Sequence, residues 1–126
     1  MAKKSERQRA RDYADRKMSE YVRARDKECV QCGARTGLTA GHLITRGKFS
    51  VRWDERNVFC QCKSCNMLHE YQPEHFTSWW ISKYGQDEYE RLVRDSNRIR
   101  KFKTEEIREI GKYFEKMRLQ VEDDVI

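Results

Sequence analysis

Apolar residues recur at helical spacing near the start of the chain. Four of them form a thin stripe within the first 28 residues: Tyr13, Met18, Tyr21 and Val22. This stripe predicts one helix with a frayed start. The same segment holds ten basic and six acidic residues. It therefore either docks on the domain through its stripe or lies along a phosphate backbone as a basic arm.

The middle of the chain, residues 29–71, lacks this helical period and is divided by glycines. Short apolar runs there predict two strands, Leu38 to Ile44 and Asn57 to Gln61. A short helix is expected to follow, from Ser64 to about Tyr71. Two strands and a helix between helical ends give an α+β fold class.

Helical spacing returns after Pro73. An aromatic stripe ends at Gly85, which predicts a helix with a glycine just after its last turn. Asp87 and Thr104 are expected to cap two further helices. The last helix carries a heptad-like apolar seam: Ile107, Ile110, Phe114, Met117 and Val121. We expect this seam to pack on its own domain, and a homodimer through the C-terminal helix is the alternative.

Composition indicates how such a chain can be stable. We expect one domain in three parts: a basic N-terminal helix (1–28), a central core (29–72) and a C-terminal helical region (73–126). Charged residues make up 38% and apolar residues 37%, and so poor a core normally needs a staple. No apolar stretch reaches the roughly 20 residues of a membrane span. We therefore expect a cytoplasmic protein with no membrane partner, whose cysteines serve metal or redox chemistry rather than disulfides.

Four of the five cysteines form two CxxC pairs, Cys29 with Cys32 and Cys62 with Cys65, separated by 29 residues. Two thiolate pairs on tight turns can close a tetrahedron around Zn²⁺, so we predict a structural zinc site with these four ligands. Such a zinc would join the two ends of the intervening segment. Cys60 is expected to face inward from a strand, with a competing ligand role as the lesser alternative. A thioredoxin-like redox pair is disfavoured because neither CxxC follows a βαβ pattern.

Polar residues occur at a definite spacing around the second cysteine pair. His42 ends the first predicted strand, Asn57 opens the second strand 15 residues later, and Asn66 follows Cys65 directly. A histidine, an asparagine and a helical polar residue in this order are typical of HNH, or ββα-metal, nucleases. We therefore predict a zinc-stapled ββα-metal core flanked by the helical ends.

The ordered set of motifs is more specific than any one of them. From about Tyr21 to Leu119 the chain carries YVRARD, CVQCG, AGH, RWDERNV, QCKSCN and KYG in that order. In this it resembles the NinG/Rap family of phage recombination nucleases. The resemblance implies a metal-dependent HNH-type endodeoxyribonuclease. Such an enzyme would hydrolyse phosphodiester bonds in recombination intermediates or branched DNA during phage recombination.

The resemblance also implies a role for each polar residue. His42, in the AGH motif, would be the base that takes a proton from water, and with an ordinary pKa of about 6.5 its activity would fall below that pH. Asn57 matches the asparagine that braces the loop and holds the histidine ring. Asn66 matches the helical ligand of a catalytic Mg²⁺ or Mn²⁺, and His69 or Glu70 could bind the same ion.

One position departs from many HNH sites. They carry an acidic ligand immediately before the histidine, where this chain has Gly41. A catalytically inactive zinc-containing DNA-binding module is therefore the alternative function, and a protein-interaction adaptor using the terminal helix is a third. Asp54 could supply an acid, although an aspartate that stabilises a turn is the more ordinary interpretation.

The net charge of +6 and its distribution indicate DNA as the partner, including branched or junction DNA. The basic residues near the predicted site are Arg46, Lys48, Arg52 and Arg56. A second basic run supplies four expected phosphate contacts: Arg98, Arg100, Lys101 and Lys103. Arg46 or Arg56 could touch the scissile phosphate. Trp79 and Trp80 could stack on unpaired bases, although we expect at least one of them to pack in the core.

Overall fold

The structure, a computed structural model, describes residues 3–124. Its elements are α1 (Glu6–Asp26), β1 (Leu38–His42), α2 (Phe49–Arg52), β2 (Val58–Cys62), α3 (Lys63–Tyr71), α4 (Glu74–Tyr84), α5 (Gln86–Ser96) and α6 (Thr104–Asp124). A 3₁₀ turn at Glu55–Asn57 leads into β2. The fold is thus mixed α+β and mostly helical, with a small sheet. None of the described helices is long and apolar enough to cross a membrane.

The sheet consists of β1 and β2, which pair antiparallel from Leu38 opposite Cys62 to His42 opposite Val58. Alternate side chains point to opposite faces of the sheet. Val58 and Cys60 pack into one apolar core with α1 and α6, whereas Phe59 packs into a second core with α4 and α5. Within residues 3–124 no strand pairs with the other edge of β1, so that edge is available to line a surface cleft.

Both strands differ from the sequence expectation by one or two residues. β1 ends at His42 rather than at Ile44. The cause is Asn57, whose side chain takes over both backbone groups of Ile44 and so ends the ladder. β2 begins at Val58 rather than at Asn57, because Asn57 completes the 3₁₀ turn.

The two predicted helix caps at the C-terminal end were wrong. α5 begins at Gln86, so Asp87 lies in its first turn rather than at its cap. α6 begins at Thr104 itself, and the backbone N–H of Lys103 donates to the Glu106 carboxylate at 3.0 Å. A glutamate within the first turn thus satisfies the backbone N–H of the residue that precedes the helix, as the glutamate of a capping box does.

The apolar seam of α6 lies against α1. Ile107 and Phe114 are buried in the same core as Met18 and Val22, which confirms that the seam packs on its own domain. A homodimer stays a prediction and would have to use another face of the helix.

The α1 and α6 helices run parallel, since Glu6 pairs with Arg108 near the start of each helix and Glu20 pairs with Arg118 further along. At Gly111 they come so close that a Cβ would lie 2.3 Å from the Tyr13 ring. Only glycine permits this approach, which brings the N-terminal helix tightly onto the rest of the molecule.

Candidate functional site

The four cysteines of the two CxxC pairs converge. Their Sγ atoms all lie within 4.8 Å of one another, and Cys32 Sγ is 3.7 Å from Cys62 Sγ. A tetrahedral zinc with Zn–S bonds of about 2.3 Å places its sulfur ligands about 3.8 Å apart. The cluster could therefore hold a zinc ion. Among residues 3–122, whose side chains the structure describes, no other group of three or more histidine, cysteine or acidic side chains converges in this way.

Backbone hydrogen bonds shape both cysteine turns. In the first, Gly33 N–H donates to Cys29 O at 2.9 Å, and Gly33 adopts a φ of +79° that favours glycine. In the second, Cys62 caps α3, and its Sγ accepts from the Cys65 N–H at 3.4 Å. Val30 N–H donates to Cys60 O at 2.9 Å and ties the first turn to β2.

The pKa of the Cys29 thiol is lowered by its surroundings. Burial opposes the charged form, but backbone N–H groups of Cys62, Cys32 and Gln31 outweigh burial and lower the pKa of Cys29 to about 7. A thiolate is the form that binds zinc.

Cys60 lies outside the cluster, as an inward-facing strand residue. Its side chain is fully buried in the core beside α1, and its N–H donates to the Asp26 carboxylate at 2.9 Å. Burial raises its pKa to about 11, so this thiol stays protonated and behaves as a small apolar side chain.

An open cleft of about 810 Å³ lies beside the outer edge of β1. Its walls include five residues that the sequence singled out: His42, Arg46, Asn66, His69 and Glu70. The N-terminal helix α1 adds Asp15 and Ser19 to the same walls. The fold thus brings the predicted base and the predicted ion ligands to one surface.

The hydrogen bond of His42 selects one tautomer of its neutral ring. Its Nε2 lies 2.9 Å from the carbonyl oxygen of Arg52, and since a carbonyl only accepts, Nε2 carries the proton. In a neutral ring Nδ1 then holds the lone pair that can take a proton. Burial lowers the pKa of His42 to about 4, so the ordinary value expected from the sequence was wrong.

Asn57 lies behind the cleft, fully buried. Its Oδ1 accepts from Ile44 N–H at 2.7 Å. Its Nδ2 donates to Ile44 O at 2.9 Å and to Val51 O at 3.1 Å. These bonds brace the loop that follows His42, while the ring of His42 itself contacts the Arg52 carbonyl.

On α3, the described contacts fix the orientation of two polar side chains. Asn66 Nδ2 donates to Thr39 Oγ1 at 3.1 Å, and this bond does not occupy the amide oxygen Oδ1. His69 Nε2 lies 3.2 Å from the Leu43 carbonyl oxygen and so carries the proton. Its Nδ1 is buried without a hydrogen-bond partner among the described residues.

Asp15 is a cleft residue that the sequence reasoning missed. Its carboxylate accepts from Arg52 Nε at 3.1 Å and from Trp53 Nε1 at 2.9 Å, and Arg46 lies 3.7 Å away. Because the carbonyl of Arg52 holds His42, Asp15 supports the histidine through Arg52. One feature of the sequence could have identified Asp15: it is an acidic residue on the inner face of α1, next to the buried Ala14 and three residues before the buried Met18.

Gly41 is closely packed against a buried side chain. A Cβ at this position would lie 1.7 Å from Oε1 of Gln61, whose side chain is fully buried. An acidic side chain cannot be placed before His42 unless Gln61 moves.

The predicted basic contacts separate into two groups. Arg46 lines the cleft and has a side chain that is 60% exposed. Arg56 does not line the cleft, because Asp54 and Asp95 hold its guanidinium at 2.6 and 2.9 Å. Asp54 also accepts from the Arg56 N–H at 2.9 Å and stabilises the turn, as expected.

The remaining predicted DNA contacts lie on the surface next to α2 and α6. Lys48 donates to the Asn97 side chain at 3.3 Å, and the four cations of the second basic run are exposed: Arg98, Arg100, Lys101 and Lys103. Trp80 is buried and donates to the carbonyl of Arg56 at 2.8 Å, so it packs in the core rather than presenting a face to bases. Trp79 packs edge-on against Phe59, with ring centroids 5.2 Å apart.

Comparison with known proteins places these features in a sequence family. The family model described as "Bacteriophage Lambda NinG protein" matches residues 1–122. "Protein ninG" of Escherichia phage 933W is 31% identical over 111 residues, which cover 83% of this chain and 55% of that protein. "Protein ninG" of Escherichia phage lambda is 29% identical over 92 residues, covering 69% of this chain and 45% of that protein. The chain thus spans about half the length of these curated relatives. No solved structure matches the chain.

Proposed function

The chain belongs to the NinG family, and from this premise we propose that it is a metal-dependent DNA endonuclease of the HNH type. Its substrates would be recombination intermediates or branched DNA. One observation carries the proposal. The single cleft beside β1 holds a neutral His42, whose Nδ1 can accept a proton, together with Asn66 and Arg46.

The cleft residues divide the work of phosphodiester hydrolysis. Nδ1 of His42 accepts a proton from the attacking water, and the pKa of about 4 keeps this nitrogen unprotonated at neutral pH. Arg46 faces the phosphate as an exposed cation. Asn57 and Asp15 are positioning residues, since Asn57 fixes the loop after His42 and Asp15 fixes Arg52.

The donor set of the cleft fits a hard divalent ion in part. Asn66 Oδ1 and the Glu70 carboxylate are oxygen donors on the cleft walls, and oxygen ligands are those that Mg²⁺ and Mn²⁺ take. When bound there, such an ion supplies charge neutralisation at the scissile phosphate. His69 would bind the ion through Nδ1, because Nε2 is engaged by the Leu43 carbonyl and Nδ1 has no hydrogen-bond partner among the described residues.

The cysteine cluster has a separate role in this proposal. Its four thiols would hold a structural zinc, which is coordinatively closed and takes no part in hydrolysis. Zinc binding joins the turn before β1 to the start of α3, and so fixes Asn66 relative to His42.

A second candidate is a zinc-containing DNA-binding module without cleavage activity. It is favoured by the absence, among the side chains of residues 3–122, of three converging histidine or acidic ligands in the cleft. In this second candidate the zinc site and the basic surface keep their roles, and only the catalytic roles are absent.

A nicking assay tests the proposal and separates the two candidates. Supercoiled DNA and a four-way junction are incubated with Mg²⁺, with Mn²⁺ and without added divalent ion. The endonuclease should cut only with the ion, and His42→Ala should lower the rate at least about 100-fold. His75→Ala is the matched control, since His75 is exposed and bonds only to Gln72 in the described structure. Ion-independent binding without any cutting by the unaltered protein would instead establish the binding module.

A further inference from the structure

The segment between α5 and α6 exposes an isoleucine. Ile99 is 91% exposed, more than any other large apolar side chain among the described residues. Its sequence neighbours Arg98 and Arg100 are cations, and Lys101 follows. Single exposed apolar residues are ordinary on protein surfaces, so the surroundings of Ile99 decide what it can do.

This segment is held at both ends. At the α5 end, the N–H of Arg98 donates to a carbonyl of that helix at 3.2 Å. At the α6 end, the Phe102 ring packs edge-on against Trp53 with centroids 5.4 Å apart, and the Phe102 carbonyl accepts from Arg7 at 2.6 Å. Ile99 therefore projects from an anchored loop, and its β-branched side chain is itself stiff.

The loop adjoins the loop that lines the cleft. Lys48 reaches Asn97, directly before the exposed run, at 3.3 Å. One residue, Gly47, separates Lys48 from Arg46, so their Cα atoms lie within about 7.6 Å. Cations thus lie between the cleft and Ile99 and on both sides of Ile99. The two nearest are paired with acids: Arg98 lies 3.7 Å from Asp95 and Arg100 lies 2.9 Å from Glu106. Each strand of DNA carries one negative charge about every 3.4 Å along the axis. The cations from Arg46 to Lys101 can therefore contact several consecutive phosphates.

We propose that Ile99 is a wedge that inserts between adjacent bases of DNA bound along this line of cations. An apolar side chain between phosphate-binding cations can partly unstack a base step and kink the duplex. Unstacking is least costly where stacking is already interrupted, as at a bulge or a junction. The inference rests on the DNA binding of the proposed function, and it gives a physical reason for preferring distorted over continuous duplex.

Equilibrium binding to two fluorescent duplexes of equal length tests the wedge. One duplex is fully paired and the other has a central unpaired bulge, and no divalent ion is added, so that cleavage does not occur. The unaltered protein should bind the bulged duplex more tightly. Ile99→Ala should reduce that preference about tenfold, which is the effect of about 1.4 kcal/mol. Its affinity for paired duplex and its salt dependence should stay the same, because no charge is removed.

The control is Leu119→Ala, which truncates a half-exposed apolar residue on α6 and should keep the full preference. Circular dichroism and zinc content establish that both variants are folded. An Ile99→Ala protein that still prefers the bulge, or an unaltered protein with no preference, would overturn the wedge.

The wedge and the nuclease can fail separately. A protein that never cuts, but loses its bulge preference with Ile99→Ala, keeps the wedge and refutes the endonuclease. A protein that cuts, with an Ile99→Ala variant that keeps its preference, refutes the wedge alone.

Discussion

At the scale of single residues, the proposed hydrolysis depends on how His42 is held. The Arg52 carbonyl fixes the proton on Nε2, and burial lowers the pKa of the ring to about 4. The sequence predicted this residue and its place at the end of a strand. It could not predict the pKa shift, because the shift comes first from burial, which only folding creates, and then from the cations Arg46 and Arg52, while Asp15 acts in the opposite direction.

The lowered pKa predicts how cleavage depends on pH. Nδ1 of His42 is a competent base whenever the ring is neutral, so protonation of His42 should not reduce the single-turnover rate between about pH 8 and about pH 5. The measurement is the rate across this range, with zinc content checked at each pH. A cleavage rate that falls to half near the ordinary histidine pKa of about 6.5 would contradict the lowered pKa of His42.

The same shift has a consequence for stability. As the pH falls from about 6.5 toward about 4, the unfolded chain takes up a proton that the native His42 resists, so the free energy of unfolding decreases. Above about pH 6.5 both states are neutral and the effect vanishes. His42→Gln keeps a donor for the Arg52 carbonyl but does not titrate, and its stability should depend less on pH over this range.

The packing around Gly41 and Gly47 predicts that alanine substitution destabilises the protein at the first position but not at the second. Gly41→Ala should lower the free energy of unfolding by about 2 kcal/mol, because the new methyl overlaps Gln61 in the core. Gly47→Ala is the control, since the nearest atoms to its Cβ would lie 3.9 Å away, and its stability should hardly change. Urea unfolding measures both. A Gly41→Ala protein as stable as the unaltered chain would mean that position 41 has room for the acid it lacks.

At the scale of elements, the cysteine turns position the cleft. Cys62 belongs to β2 and also caps α3, so the strand, the cysteine cluster and the helix that carries Asn66 form one connected unit. The CxxC spacing was enough to predict the four thiols, because short turns fix their geometry locally. The contribution of α1 could not be predicted, because Asp15 meets Arg52 only through long-range packing.

Substitution of single cysteines tests this unit. Cys29→Ser should lose the zinc and much of its stability, because binding of a structural zinc is largely folding free energy. Cys60→Ser should keep one zinc per chain, because Cys60 is buried outside the cluster. Elemental analysis of purified protein gives the zinc content, and thermal unfolding gives the stability. Well-folded protein without zinc, or zinc loss in Cys60→Ser, would contradict the assignment of ligands.

At the scale of the whole molecule, the sheet lies between two apolar cores, and a line of cations leads away from the cleft. The parallel packing of α1 on α6 uses the apolar stripes of both helices, and two ion pairs, Lys17 with Glu115 and Glu20 with Arg118, join them beside these stripes. The sequence showed the excess of positive charge. Only the fold shows that Arg56 is held by acids, while the run after α5 stands beside Lys48.

This distribution predicts a change in salt dependence. Lys101→Gln with Lys103→Gln should weaken DNA binding without sequence preference and make the slope of log K against log salt shallower by up to about 1.8, since each lost phosphate contact removes about 0.9. Lys112→Gln with Lys116→Gln, on exposed positions of α6, is the control with the same charge change. Equal slopes for the two double variants would place the phosphate contacts elsewhere, for example on α1.

The most direct test of the nuclease assignment is the cleavage rate as a function of Mg²⁺ or Mn²⁺ concentration for the unaltered protein, His42→Ala and Asn66→Ala. A base and an ion ligand fail differently. Asn66→Ala should lose cleavage through weak ion binding and should recover in part at high ion concentration. His42→Ala should stay at least about 100-fold slower at every concentration, with zinc, fold and DNA affinity retained. A His42→Ala protein that cuts at the unaltered rate, with contaminating nuclease excluded, would contradict the assignment and leave a zinc-binding, DNA-binding module.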